Sequence, residues 1–201
     1  MIYLEIDPYN PEPKLIRRVV NLLKDGGVII YPTDTVYGLG CDLMNKSAIE
    51  RVYKIKKMPK GKPLSFICPD LKNIADYAQV SNTAYKLMKR LIPGPYTFIL
   101  PATTLVPRQI VPNRRTVGIR VPDNEICLAL VNALGSPLIS TSVPQEKNEI
   151  LSDPVSLEKH LGDKVDLIID GGVLASELST VIDFTGREPE IVREGKGIEA
   201  I

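Results

Sequence analysis

The residues best equipped for chemistry stand together in the segment Tyr31-Pro32-Thr33-Asp34-Thr35-Val36-Tyr37-Gly38-Leu39-Gly40. Thr33, Thr35 and Tyr37 supply hydroxyl groups and Asp34 a carboxylate. They follow a short β-branched run, Val28 to Tyr31, that reads as a buried strand entering a loop. Open α/β sheets bind their ligands just beyond strand ends, where such groups can donate and accept hydrogen bonds. The same residue types also satisfy turn backbone, so Asp34 has a purely structural reading as well.

A second group is cationic. Lys54, Lys56, Lys57, Lys60 and Lys62 form the densest basic run in the chain, and such runs are usually a solvated face. Helical geometry separates them: at about 100° per residue, Ile49, Val52 and Tyr53 mark a buried stripe that includes Lys56, whereas Lys54 and Lys57 point away. A lysine on the apolar face must snorkel or meet an anion, and the anion is the favoured reading. Lys60 and Lys62 lead into the next strand and can reach the same cleft. Arg120 interrupts the strand-like run Val117 to Val121, where a charge is unexpected unless that face opens on a polar site. Ser140-Thr141-Ser142 and Ser179-Thr180 suit phosphate or carboxylate recognition, and Arg193 completes the set. The ligand implied is anionic.

Other chemistries lack support. The one histidine, His160, sits in a predicted helix near Leu157 and Leu161, outside every cluster above, which disfavours a Ser/His or Cys/His nucleophile. No G-x-x-x-x-G-K-[ST] loop or G-x-G-x-x-G turn is present. Cys41, Cys68 and Cys127 are far apart and odd in number, without metal or redox spacing. No catalytic acid, base or nucleophile is identified.

These residues need positioning by a folded domain. Hydrophobic residues at 44% and charged residues at 24% match a globular chain, and 201 residues fit one domain. With 25 basic and 24 acidic side chains, attraction to nucleic acid would have to be local. The N-terminal stretch lacks the order of a signal peptide, and no apolar run is long enough for a membrane span; the expectation is a cytoplasmic protein without membrane contact. Periodicity predicts helices at Lys14 to Lys24, Lys46 to Lys57, Asp70 to Tyr77, Thr83 to Leu91 and Glu125 to Leu134. Strands are predicted at 28–31, 64–68, 96–100, 116–121, 137–141, 165–169, 180–184 and 190–193. The alternation implies a single α/β domain with a twisted, mixed sheet flanked by helices. The polar stretch Pro144 to Asp153 reads as a mobile loop and possible lid.

The segments YPTDTVYGLGCD, KKMPKGKPL, PGPYTFIL, VGIRVP, LISTS, STVID and VREG occur in this order. Together the chain resembles the YrdC/TsaC-like family, and within it the YciO-like branch, over nearly its whole length, 1–201. The resemblance implies a concave positive cavity. It also implies synthesis of threonylcarbamoyl-adenylate from threonine, bicarbonate and ATP, with magnesium, for tRNA modification. It places Thr33, Thr35 and Tyr37 around the threonyl part and Arg120 on a carboxylate. Lys56 and Arg193 would hold phosphates, with Lys60, Lys62, Ser140, Ser142, Ser179 and Thr180 on the nucleotide side; no side chain is assigned to the metal. Where synthases usually carry Lys-x-Arg and Ser-x-Asn, this chain has Lys56-Lys57-Met58 and Ser140-Thr141-Ser142, and Asn124 stands where many members have histidine. Met58 removes a bidentate phosphate clamp and Ser142 an amide. The alternative is therefore a non-synthase that binds tRNA or double-stranded RNA, or processes the threonylcarbamoyl group. Oligomeric state is left open.

Overall fold

The computed structural model describes residues 1–59, 64–107, 116–145 and 150–201. The helices are α1 (Pro13–Lys24), α2 (Lys46–Ile55), α3 (Leu71–Tyr77), α4 (Asn82–Leu91), α5 (Glu125–Leu134) and α6 (Pro154–Leu161). Asn45, Asp70, Ser81, Asn124 and Asp153 each start a helix by accepting a backbone N–H from three residues on. Such a cap contributes about 1 kcal/mol. Asn124, notable in the sequence for replacing a histidine, thus caps α5 through the Cys127 N–H. α1 begins instead on Pro13, whose missing N–H would have no helical partner in any case.

The strands are β1 (Ile2–Glu5), β2 (Ile29–Tyr31), β3 (Gly38–Asp42), β4 (Ser65–Ile67) and β5 (Tyr96–Pro101). They continue with β6 (Thr116–Arg120), β7 (Leu138–Ser142), β8 (Leu167–Asp170), β9 (Thr180–Asp183) and β10 (Glu190–Arg193). All join one sheet in the order β1-β8-β2-β3-β7-β4-β6-β5-β9-β10. Pairing is mixed: β1–β8, β2–β8, β4–β6 and β5–β9 run parallel and the others antiparallel. The expected single-domain, mixed α/β architecture is what is found.

Two helical layers cover the sheet unequally. On one face α2, α3, α4 and α6 press Ile49, Val52, Ile74, Met88 and Leu157 onto Leu39, Phe66, Phe98 and Ile119. On the other, α1 and α5 press Ile16, Val20, Ile126 and Leu130 onto Ile29, Ile67, Leu138 and Leu167. That second core takes no residue from β5, β6 or β9. At roughly 25 cal/mol per Å² of buried apolar surface, both layers stabilise the fold, yet only the first spans the sheet.

Several details depart from the sequence reading. β1 and β3 were not anticipated. α2 stops at Ile55, with Lys56 as its C-cap, because Lys57 turns into the left-handed region at φ 53°. Its N–H bonds to the Lys54 carbonyl and that of Met58 to the Tyr53 carbonyl, the paired closure normally built on glycine. β7 begins at Leu138, one residue late, since Pro137 cannot donate to a ladder. β10 carries a bulge between Ile191 and Arg193, so Arg193 sits opposite Val181. Part of the polar stretch expected as a loop, 146–149, lies outside the described residues. Among the described residues, no helix is long and apolar enough to cross a membrane.

Candidate functional site

The site is the part of the sheet face that α1 and α5 leave uncovered. Strand alternation makes it: Ile139, Phe66, Ile119, Phe98 and Ile182 point into the larger core, so their neighbours point the other way. Cross-strand pairing aligns Ser140 with Ser65, Ser65 with Gly118, Gly118 with Ile99, and Ile99 with Asp183. Five strands at about 4.8 Å spacing give this row a length of roughly 19 Å. It floors a cavity of about 370 Å³, within the roughly 300–1,000 Å³ of small-molecule sites. Gly118 keeps the floor deep, because a Cβ there would lie 2.9 Å from Ser65 Oγ and 3.4 Å from Thr97 Cγ2.

The 32–37 loop forms one wall. The Thr33 hydroxyl donates to the Val36 carbonyl at 2.6 Å and accepts the Thr35 N–H at 3.1 Å, which turns the loop back on itself. The turn aims Thr35 and Asp34 at Arg120, whose Nη2 donates to Asp34 Oδ1 at 2.7 Å and Thr35 Oγ1 at 3.0 Å. Asp34 Oδ2 accepts the Asp123 N–H at 3.0 Å. The pair is buried, with side-chain exposures of 11% for Arg120 and 6% for Asp34. Arg120 Nε is also buried and has no acceptor among the described residues. Leaving such a donor unmatched costs about 1–3 kcal/mol.

Arg193 stands on the opposite wall, at the solvent-exposed edge. Its Nε donates to the Ser179 carbonyl and its Nη2 to Ser179 Oγ, both at 3.0 Å. Ser179 Oγ is in turn 2.9 Å from Thr97 Oγ1 on the floor. Loss of hydration, then the nearby positive charge of Arg120, holds the Arg193 pKa below the ordinary arginine value. Among the described residues no carboxylate forms an ion pair with Arg193. Two guanidinium groups line one cavity, Arg120 paired with Asp34 and Arg193 with no carboxylate partner among the described residues, and they outweigh the Asp183 carboxylate on the floor in favouring an anionic ligand.

Thr35, Arg120, Ser140, Ser142, Ser179 and Arg193 therefore meet around one space. Four other expected residues act beside it. Thr33 shapes the loop from behind. Tyr37 donates to the Gly172 carbonyl at 2.7 Å and accepts the Gly171 N–H at 3.2 Å, tying the loop to the chain after β8; burial pushes its phenol up to about 12. Thr180 Oγ1 bonds to the Gly195 and Lys196 carbonyls and ties the start of β9 to the chain that follows β10. Lys56 Nζ donates to Ser142 Oγ at 3.1 Å and the Val143 carbonyl at 2.9 Å. It lines an adjoining cavity of about 590 Å³ together with Lys54, Lys57, His160 and Lys164. Lys60 and Lys62 lie outside the described residues.

Sequence reasoning missed several residues of the site. The polar floor positions Ser65, Thr97, Thr116 and Asp183 had a signal, since each alternates with core residues in a strand. Lys196, whose Nζ donates to the Asp34 carbonyl at 2.6 Å and so ties the 32–37 loop to the chain after β10, had none. Burial raises the thiols of Cys41, Cys68 and Cys127 and keeps them protonated, so none is a ready nucleophile.

Comparison with known proteins agrees with this fold. The crystal structure of YciO from Escherichia coli superposes with a TM-score of 0.93 at 44% identity, covering 98% of this chain and 97% of that one. A threonylcarbamoyl-AMP synthase from Vibrio vulnificus is 33% identical over 79% of this chain and 87% of its own. The crystal structure of Pyrococcus abyssi Sua5 complexed with L-threonine superposes at a TM-score of 0.90 with 30% identity, over 97% of this chain and 58% of that one. The family model Sua5/YciO/YrdC, described as telomere recombination, matches residues 21–195. The chain belongs to the Sua5/YciO/YrdC family.

Proposed function

We propose that the cavity holds a threonine-type carboxylate and a nucleotide phosphate together, and that the chain acts as a nucleotidyltransferase of the threonylcarbamoyl-AMP synthase kind. The observation that carries this reading is the pair of guanidinium groups on one cavity, with Arg193 lacking a carboxylate partner among the described residues. The relative from P. abyssi complexed with L-threonine supports the carboxylate half. Arg120 and Thr35 would hold that carboxylate; Arg193, Ser179 and Ser140 would face the phosphates. In the transfer, the threonine amine and bicarbonate combine with loss of water to an N-carboxylate; an oxygen of that carbamate, not of the α-carboxylate held by Arg120, attacks the α-phosphorus of ATP as its bond to diphosphate breaks. Such a step needs alignment and charge neutralisation more than a nucleophilic side chain. Among the described residues no group of three or more metal-ligating side chains exists. Magnesium would accordingly arrive with the ATP phosphates and offset their charge.

Calorimetry with ATP, AMP and L-threonine, alongside diphosphate release in the presence of bicarbonate and magnesium, tests the reading. Arg193→Ala should weaken AMP binding about tenfold to hundredfold, the worth of hydrogen bonds to a charged group, while sparing threonine. Folded wild-type protein that binds none of the three overturns it.

A second reading is favoured by one observation. Met58 packs against the larger core and offers no charge to a phosphate. The protein would then bind tRNA or double-stranded RNA and process the threonylcarbamoyl group without making it. Its mark would be RNA affinity that falls steeply with salt, each phosphate contact adding about one unit to the log–log slope.

A further inference from the structure

Tyr31 belongs to the helix-covered part of the sheet, yet its hydroxyl reaches the cavity wall. The residue is fully buried and packs in the α1/α5 core. Its hydroxyl donates to Ser140 Oγ at 2.6 Å. Ser140 lies on β7, with β3 between it and the β2 strand that carries Tyr31. The ring must therefore cross β3, and β3 is built to let it pass. Tyr31 is paired with Gly38, and Gly40 with Ser140. A Cβ on Gly38 would come within 2.8 Å of the ring Cζ and 3.0 Å of the hydroxyl; one on Gly40 would come within 3.0 Å of Cε1. Contacts that short are not tolerated, so a side chain at Gly38 would displace the phenol.

The direction of the hydrogen bond follows. Burial, with the Cys127 side chain adding to it, raises the phenol far above its ordinary pKa, so the ring keeps its proton. A phenol has one proton, and it goes to Ser140 Oγ. Ser140 accepts it and retains its own proton, which is free to turn into the cavity that the residue lines.

We propose that Tyr31, laid across Gly38 and Gly40, is a positioning residue that fixes Ser140 Oγ as a hydrogen-bond donor into the cavity. The acceptor it selects is an anionic oxygen. Identifying that oxygen as a nucleotide phosphate rests on the proposed function; the positioning role does not. A phenol that merely satisfies its own buried hydroxyl would matter for stability alone.

Tyr31→Phe keeps the ring and removes the hydroxyl. In the unliganded protein, Hα–Hβ couplings should show Ser140 in one χ1 rotamer in the wild type and averaged over rotamers in Tyr31→Phe. An unchanged single rotamer overturns the proposal. Gly38→Ala provides an independent break, since it moves the phenol without altering either hydroxyl, and should give the same averaging. With AMP as probe, Tyr31→Phe and Ser140→Ala should each weaken binding about five- to tenfold, and the double variant no more than Ser140→Ala alone. Additive losses overturn the proposal. If wild-type protein binds no AMP, the nucleotide reading falls and the rotamer measurement still decides the role of Tyr31.

Discussion

Over β1, β8 and β2, one face of the sheet meets α1 and α5 through Leu167, Ile29 and Leu130, all fully buried. Over β4, β6, β5 and β9 the same face carries Ser65, Gly118, Thr97 and Asp183 around open space. The covered part uses side chains that gain most from leaving water; the open part uses small polar ones that gain least. Stability and ligand chemistry are thereby given to different parts of one sheet face, and β4 and β7 contribute to both, with Ile67 and Leu138 under the helices and Ser65 and Ser140 at the cavity. The open part can tolerate an unmatched donor at Arg120 because the covered part and the larger core hold the fold.

Three substitutions test that division. Leu130→Ala, in the covered part, should cost about 3 kcal/mol by chemical denaturation, the usual range for a buried leucine, and leave AMP affinity unchanged. Asp34→Ala should cost about 2 kcal/mol, because Arg120 loses its carboxylate but can draw water from the cavity. It should also weaken threonine binding, measured by calorimetry, since Arg120 is no longer held at 2.7 Å. Thr97→Val, on the floor, should cost about 1 kcal/mol or less, the worth of its hydroxyl contact with Ser179. Its effect should fall instead on AMP affinity. If Leu130→Ala shifts affinity as much as Thr97→Val does, the two parts are not separate.

The sequence made the division only partly legible. The helices announced themselves through apolar stripes, and most strands through β-branched runs. Arg120 stood out because a charge in a strand requires a polar face, and the face is there. Lys56 ends α2 as its partly exposed C-cap, where its ammonium meets Ser142 and the Val143 carbonyl, and it lines one cavity with Lys54 and Lys57, from which the helical stripe separates it. The Asp34–Arg120 pair was not legible, since the partners are 86 residues apart and only the sheet order brings them together. β3 escaped notice for a more instructive reason. Gly38-Leu39-Gly40 has poor strand propensity, and its glycines stand where the Tyr31 ring must pass. A local signal was given up to a long-range contact.

The bulge in β10 has one more consequence. β10 is an outer strand of a ten-stranded sheet, and a flat outer strand offers unpaired N–H and C=O groups to any other chain. The irregularity between Ile191 and Arg193 breaks that regular row of groups. Glu190, Arg193 and Glu194 further discourage a neutral partner from docking along it. The strand that carries a cavity arginine thus also guards the molecule against edge-to-edge aggregation.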